Sequence, residues 1–127
     1  MNRRGAKPEL ICFVLLCSLL AFAQSAQDTV QGVAAALRAN EYSRALELLK
    51  PALVKFPEDA RLWTMQGFAF SGTHNRDQAL AAYRHAFTLS PDYLPALEGA
   101  AQIEYEKDGK DATALLQRIL KLRPEDP

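Results

Sequence analysis

The stretch WTMQGFAFSGTHNRDQALAAYRHAFTLSP, from Trp63 to Pro91, decides the fold. Trp63, Gly67 and Phe70 stand at i, i+4 and i+7, which places them on one face of a helix. Gly72 and Thr73 end that helix. Ala79, Leu80, Tyr83, Ala86 and Phe87 then mark the inward face of a second helix, about Arg76 to Leu89, and Ser90-Pro91 stops it. The pattern recurs. Ala45, Ala52 and Pro57 lie 34 residues before Ala79, Ala86 and Pro91; Ala112, Ile119 and Pro124 lie 33 residues after them. Three prolines at one phase, each with its tracking apolar pair, read as three copies of a helix pair. An ordinary six-helix bundle would not keep that phase.

Working outward, Val30, Val33, Ala34 and Leu37 follow helical spacing from about Asp28 to Arg38, and Asn40-Glu41 punctuates. Tyr42 to Phe56 is a helix with an inward stripe of Ala45, Leu46, Leu49, Ala52 and Leu53. Pro51 removes its bond to the Glu47 carbonyl and is expected to kink it. Asp59 is the expected N-cap of the third helix, Ala60 to about Ser71. Asn75 and Gln78 have capping-box spacing before the fourth. Asp92 is the expected cap of the fifth, with Pro95 in its first turn. Leu97, Ala100, Ala101 and Ile103 carry that helix towards Glu106, and Asp108-Gly109 turns the chain. Ala112, Leu115, Leu116, Ile119 and Leu122 mark a sixth helix from about Asp111. No stretch alternates apolar and polar residues long enough for a strand. One helix pair cannot bury its apolar face alone, so pairs at this period stack into an all-α solenoid.

At these residues the chain resembles the tetratricopeptide repeat (TPR) family. That family's unit has a Trp, a Leu-Gly and an aromatic in its first helix, then Ala, an aromatic, Ala and Pro in its second. Trp63, Gly67, Phe70, Ala79, Tyr83, Ala86 and Pro91 match it, with Gln66 in place of the Leu. The first unit keeps Ala45, Ala52 and Pro57, but Thr29 and Val33 replace the Trp and Gly. The third keeps Ala112 and Pro124, with Leu97 and Ala101 as substitutes, and is one residue short near Asp108-Gly109. The resemblance implies a right-handed α-solenoid of three units, about 26–59, 60–93 and 94–126, in a domain of residues 24–127. It also implies a scaffold without enzymatic activity, holding a peptide or partner helix in the groove lined by the first helix of each unit.

On that reading the groove-facing rows are Val30, Ala34, Leu37; Thr64, Phe68, Ser71; and Glu98, Gln102, Tyr105, with Arg38 and Arg61 at the flanks. The candidate binding residues are Arg38, Arg61, Thr64, Phe68, Ser71, Glu98, Gln102 and Tyr105. Phe68 and Tyr105 are the candidate anchors, because aromatic side chains dominate binding hot spots. The competing reading is that both rings only fill space between neighbouring first helices. Some members of the family clamp a peptide's terminal carboxylate with Lys, Asn and Arg. The row Val30, Ala34, Leu37 lacks that set, so a chaperone-tail adaptor is not expected.

The first residues read differently. Arg3, Arg4 and Lys7 are followed by the apolar run Leu10 to Leu20 and the small residues of Ala21-Phe22-Ala23, the pattern of a secretory signal peptide cleaved after Ala23. The apolar run Leu10 to Ala23 is shorter than the roughly 20 residues of a bilayer span. Leu16 and Ile11 stand before the cysteines, where a lipoprotein signal has a small residue. The expectation is export, to a periplasm or the extracellular space. The alternatives are a membrane-anchored assembly subunit that keeps the segment, or the front part of a longer array. Cleavage would remove Arg3, Arg4, Lys7 and Glu9, leaving 12 basic and 14 acidic residues. It would also remove Cys12 and Cys17, so the mature chain would have no disulfide, thiol nucleophile or cysteine metal ligand.

The whole chain has zero formal net charge, which argues against a general nucleic-acid binder, whose affinity comes from neutralising phosphates. His74 and His85 match no common zinc spacing and read as surface residues. Glu104, Glu106 and Asp108 read as a solvated acidic face. There is no phosphate loop and no nucleophile–base pair in a recognisable context, so neither cofactor nor metal is expected. The last helix is apolar over more than one face, and solenoid ends ordinarily carry a polar outer face. Self-association through Leu115, Ile119 and Leu122 is therefore expected.

Overall fold

The computed structural model describes residues 7–124. It contains six helices: α1 (Pro8–Arg38), α2 (Tyr42–Lys55), α3 (Ala60–Gly72), α4 (Arg76–Leu89), α5 (Leu94–Lys107) and α6 (Lys110–Leu122). There is no strand among the described residues. Each helix packs on the next, and α1 also touches α3, as α3 touches α5. Among the described residues, α2, α4 and α6 touch only their neighbours in the chain. The array therefore closes on its α1–α3–α5 side and opens on the other, which makes the first helices its inner layer.

The small residues of the repeat sit where helices meet. Ala45, Ala52, Ala79, Ala86 and Ala112 are buried. Tyr83 is the central wedge. A Cβ on Gly67 of α3 would lie 2.7 Å from its ring, and one on Gly99 of α5 would overlap it as well. Two glycines thus seat one ring between successive units. Gly72 makes the same room for Tyr42. Val33, Leu49, Leu62 and Leu97 are fully buried, and each such side chain contributes about 1.5–3 kcal/mol of burial. Trp63 joins both core clusters. Its indole Nε1 donates to the Pro57 carbonyl at 2.7 Å, so the signature Trp of one unit satisfies the helix stop of the unit before it.

Three turns join helices within units, and each holds one left-handed residue: Asn40 (φ 58°), His74 (φ 61°) and Gly109 (φ 76°). Asn, His and Gly are the types that tolerate this region. The first two turns have three residues, Ala39–Glu41 and Thr73–Asn75; the third has two, Asp108 and Gly109. The residue missing from the third unit is lost there.

Local expectations fare unevenly. Asp59 does cap α3, its carboxylate accepting from the Arg61 amide at 3.0 Å. Asn75 stands at the N-cap of α4 without capping it; its amide donates to Thr73 Oγ1 instead. The N-cap of α5 is Tyr93 and not Asp92, which is exposed and pairs with Arg118 at 3.7 Å. The first helix is far longer than Asp28–Arg38. No Pro or Gly lies between Pro8 and Gly32, and nothing else in that interval breaks a helix. Pro51 lies inside α2, which runs on to Lys55.

Candidate functional site

Two clefts open along the inner layer. The first, about 370 Å³, lies between α1 and α3 and reaches the start of α5; Ala34, Leu37, Thr64, Met65 and Phe68 line it, with Tyr93 and Pro95 beyond and Arg38 and Arg61 at its edges. The second, about 290 Å³, lies between α3 and α5 and includes Phe68, Ser71, His74, Arg76, Gln102 and Glu106. Phe68, half exposed at 51%, is shared by both. Its ring also stands 6.4 Å from that of Tyr42.

Of the candidate groove residues, Arg38, Arg61, Thr64 and Phe68 meet in the first cleft, and Phe68, Ser71 and Gln102 in the second. Glu98 and Tyr105 line neither. Glu98 forms an ion pair with Arg123 at 3.3 Å, and Tyr105 stands 71% exposed. The hydroxyls are partly committed. Thr64 Oγ1 donates to the Ala60 carbonyl, and Ser71 Oγ to that of Gly67. Burial pushes the Tyr83 phenol above its ordinary value, and its hydrogen bond with Ser71 offsets part of that.

The two edge arginines are not equivalent. Arg61 is held by Asp59 through Nε–Oδ1 at 3.0 Å and Nη2–Oδ2 at 2.7 Å. The Arg61 hydrogen bond also holds the Asp59 carboxyl below its usual range, against the opposing effect of burial. Arg44, Arg76, Arg84, Arg118 and Arg123 are likewise ion-paired. Among the described residues, Arg38 is the one arginine without a carboxylate partner.

Glu104 corrects the solvated acidic face. It is 2% exposed and forms an ion pair with Arg84 of the preceding unit. Counting back 34 residues gives Phe70, so Glu104 replaces a signature aromatic. Its spacing of four from Ala100 and seven from Leu97 was the available signal. Glu106 pairs with Arg76 at 2.8 Å. His85 is exposed, yet its ring lies 4.1 Å from that of Trp63. No cluster of His, Cys, Asp or Glu suited to a metal occurs among the described residues.

The two ends of the array differ. Leu62, Met65 and Ala69 of α3 belong to the core formed with α1 and α2. Ala96, Ala100 and Ile103 of α5, with Gly99, meet Leu80 or Tyr83 of α4. The matching positions on α1 are Asp28, Gln31, Gly32 and Ala35, all exposed and mostly polar or small. At the other end, Leu80, Tyr83 and Phe87 correspond to Thr113, Leu116 and Leu120 of α6. Leu116 is 45% and Leu120 65% exposed. Leu115, Ile119 and Leu122 are only half-exposed, and Leu115 packs against the second core cluster.

The N-terminal half of α1 stands clear of the array. An 18-residue window of the helix has mean hydropathy 2.0 and no buried residue. By length and composition the helix is able to cross a membrane, as signal sequences also are. Docking begins near Ser25, whose Oγ accepts from Lys55 Nζ at 2.9 Å.

No family model matches the chain. In sequence it is similar to human Superkiller complex protein 3, 34% identical over 92 residues, and to Tetratricopeptide repeat protein 37 of Xenopus laevis, 33% identical over 92. Each alignment covers 68% of this chain, which spans only 6% of the length of either relative. In structure it is similar to MamA 41-end from Desulfovibrio magneticus RS-1, with TM-score 0.72 at 20% identity, covering 90% of this chain and 73% of that one. A MamA RS-1 ArsTM double mutant gives TM-score 0.73 at 19% identity, covering 87% and 71%. By fold the chain is thus a TPR-like α-solenoid of six helices, and its likeness in sequence to a tetratricopeptide repeat protein supports a TPR-family protein.

Proposed function

We propose that the chain is a non-enzymatic scaffold of TPR type, which holds a segment of a partner protein along its inner layer in an exported compartment. One observation carries the reading: two clefts open side by side between the first helices and share the half-exposed Phe68. An exposed aromatic ring between two clefts is the kind of anchor around which interface energy concentrates. Relatives of this fold support the coarser statement, an interaction scaffold, since proteins of TPR type are generally not enzymes. Charge substitution at Phe68 tests the finer one. Phe68→Glu is expected to abolish capture of the partner from an envelope extract while leaving the thermal transition in place. Unchanged capture by a folded variant sinks the groove.

Export rests on the first residues. All of the apolar window of α1 lies outside the core, so cleavage after Ala23 would leave the packing of Val33 and Ala36 untouched. Retention as an anchor is the alternative. N-terminal sequencing of the protein from cells separates them: a start at Gln24 supports cleavage, an intact Met1 supports an anchored subunit.

A further inference from the structure

We infer that the first cleft takes an acidic partner segment: a bulky apolar side chain with an aspartate or glutamate beside it. This rests on the groove reading above and adds the ligand's chemistry. The floor and walls between α1 and α3 are Ala34, Leu37, Met65 and Phe68, with Tyr93 and Pro95 from the next unit. Such a lining accepts apolar surface and little else. Thr64 Oγ1 is already bonded to its own helix. The specificity of the cleft therefore lies in its two arginines. Arg61 is neutralised in place by the two side-chain bonds from Asp59. Arg38, exposed at the C-terminal end of α1, has no carboxylate partner among the described residues, although every other arginine there has one. The cleft thus has one net positive charge at its edge and no acceptor of its own to meet it. A ligand that brings a carboxylate supplies the missing partner, and one that brings a lysine meets an uncompensated like charge.

The carboxylate belongs to a side chain inside a segment and not to a chain end. The second cleft continues from the other wall of Phe68, so a bound segment has room to run on past the ring. That cleft is polar, and its Arg76 is already paired with Glu106. The charge preference therefore resides at Arg38.

Fluorescence polarisation on the full chain tests this with labelled Gly-Ser peptides. One carries a central Phe-Glu pair and an amidated end. Its companions carry Phe-Lys, Ala-Glu, or a terminal Phe with a free carboxylate. The Phe-Glu peptide is expected to bind about tenfold tighter than each companion, with the margin over Phe-Lys shrinking as salt rises. Arg38→Gln should level the Glu and Lys peptides, and Arg38→Glu should reverse them. Arg38 is exposed and outside the core, so neither change threatens folding. Equal binding of the Phe-Glu and Phe-Lys peptides overturns the inference, as does binding of neither. Preference for the free carboxylate assigns the cleft to a chain end and overturns it too. These failures are distinct from failure of the groove: partner capture lost in Phe68→Glu without any Glu-over-Lys preference keeps the groove and removes only its acidic ligand.

Discussion

Tyr83 shows how single residues hold this array together. Its ring lies over Gly67 in its own unit and Gly99 in the next, and neither position has space for a Cβ. Gly99→Ala forces the ring or α5 to move, and over-packing of this kind costs about 1–3 kcal/mol. Chemical denaturation of Gly99→Ala should show that loss, with little change for Gly32→Ala, where a Cβ meets nothing within 4 Å. Asp59 offers a second residue-scale outcome. Its carboxyl is held below the unfolded value, chiefly by the Arg61 hydrogen bond. The stabilisation is therefore present above the unfolded pKa and is lost as pH falls through the lower folded one. Asp59→Ala should cost about 1 kcal/mol at neutral pH, the usual worth of an N-cap. The difference from the unsubstituted chain should close in acid, below about pH 4. Thermal melts of both proteins across that range check it.

Among the elements, α1 is the unusual one. At 31 residues it is about 46 Å long, while α2 to α6 have 13 or 14 residues. Only its C-terminal half belongs to the solenoid. Gly32 lies there on the exposed front, where glycine weakens a helix without any packing reason. Gly32→Ala should raise stability by about 0.5–1 kcal/mol. Gly109 has the opposite logic. Its φ of 76° lets a two-residue turn start α6, and Gly109→Ala should cost about 1 kcal/mol or more. Measuring both by urea unfolding tests whether the sign follows backbone conformation. The sequence pattern located α2 to α4 to within a residue or two, because prolines and turn residues bound them. It could not locate the start of α1, because an apolar leader with good helix formers has no internal stop signal.

At the scale of the molecule, the array is finished at one end and not at the other. Asp28 and Gln31 make the front of α1 polar, while Leu116 and Leu120 leave the rear of α6 apolar where α5 covers the matching surface of α4. Exposed apolar surface at near-zero net charge favours association. Self-association of the chain should therefore depend on Leu116 and Leu120 more than on the half-buried Leu115, Ile119 and Leu122. Leu120→Glu should shift the sedimentation profile towards monomer without lowering the melting temperature. A profile unchanged by Leu120→Glu but altered by substitutions in the α1 leader would move the contact to the leader.

The repeat itself was legible without coordinates. Period, prolines and small residues are local properties, and each helix carries its own apolar face, so order and pairing of the six helices follow from the chain. The site was half legible. Helical spacing put Thr64, Phe68 and Ser71 on one face, but Glu98 and Tyr105, at matching positions, stand outside both clefts. What a groove contains depends on how adjacent helices approach, and that is set by packing at Tyr83, Gly67 and Gly99. The same holds for charge. Glu104 reads as solvent-facing beside Glu106 and Asp108, yet the turn of α5 carries it into the core against Arg84. Which arginine has a partner, and which is left for a ligand, is a property of residues far apart in the chain. Sequence determined the architecture of this protein; tertiary contact decided that Arg38, and not Arg61, is the cleft's uncommitted charge.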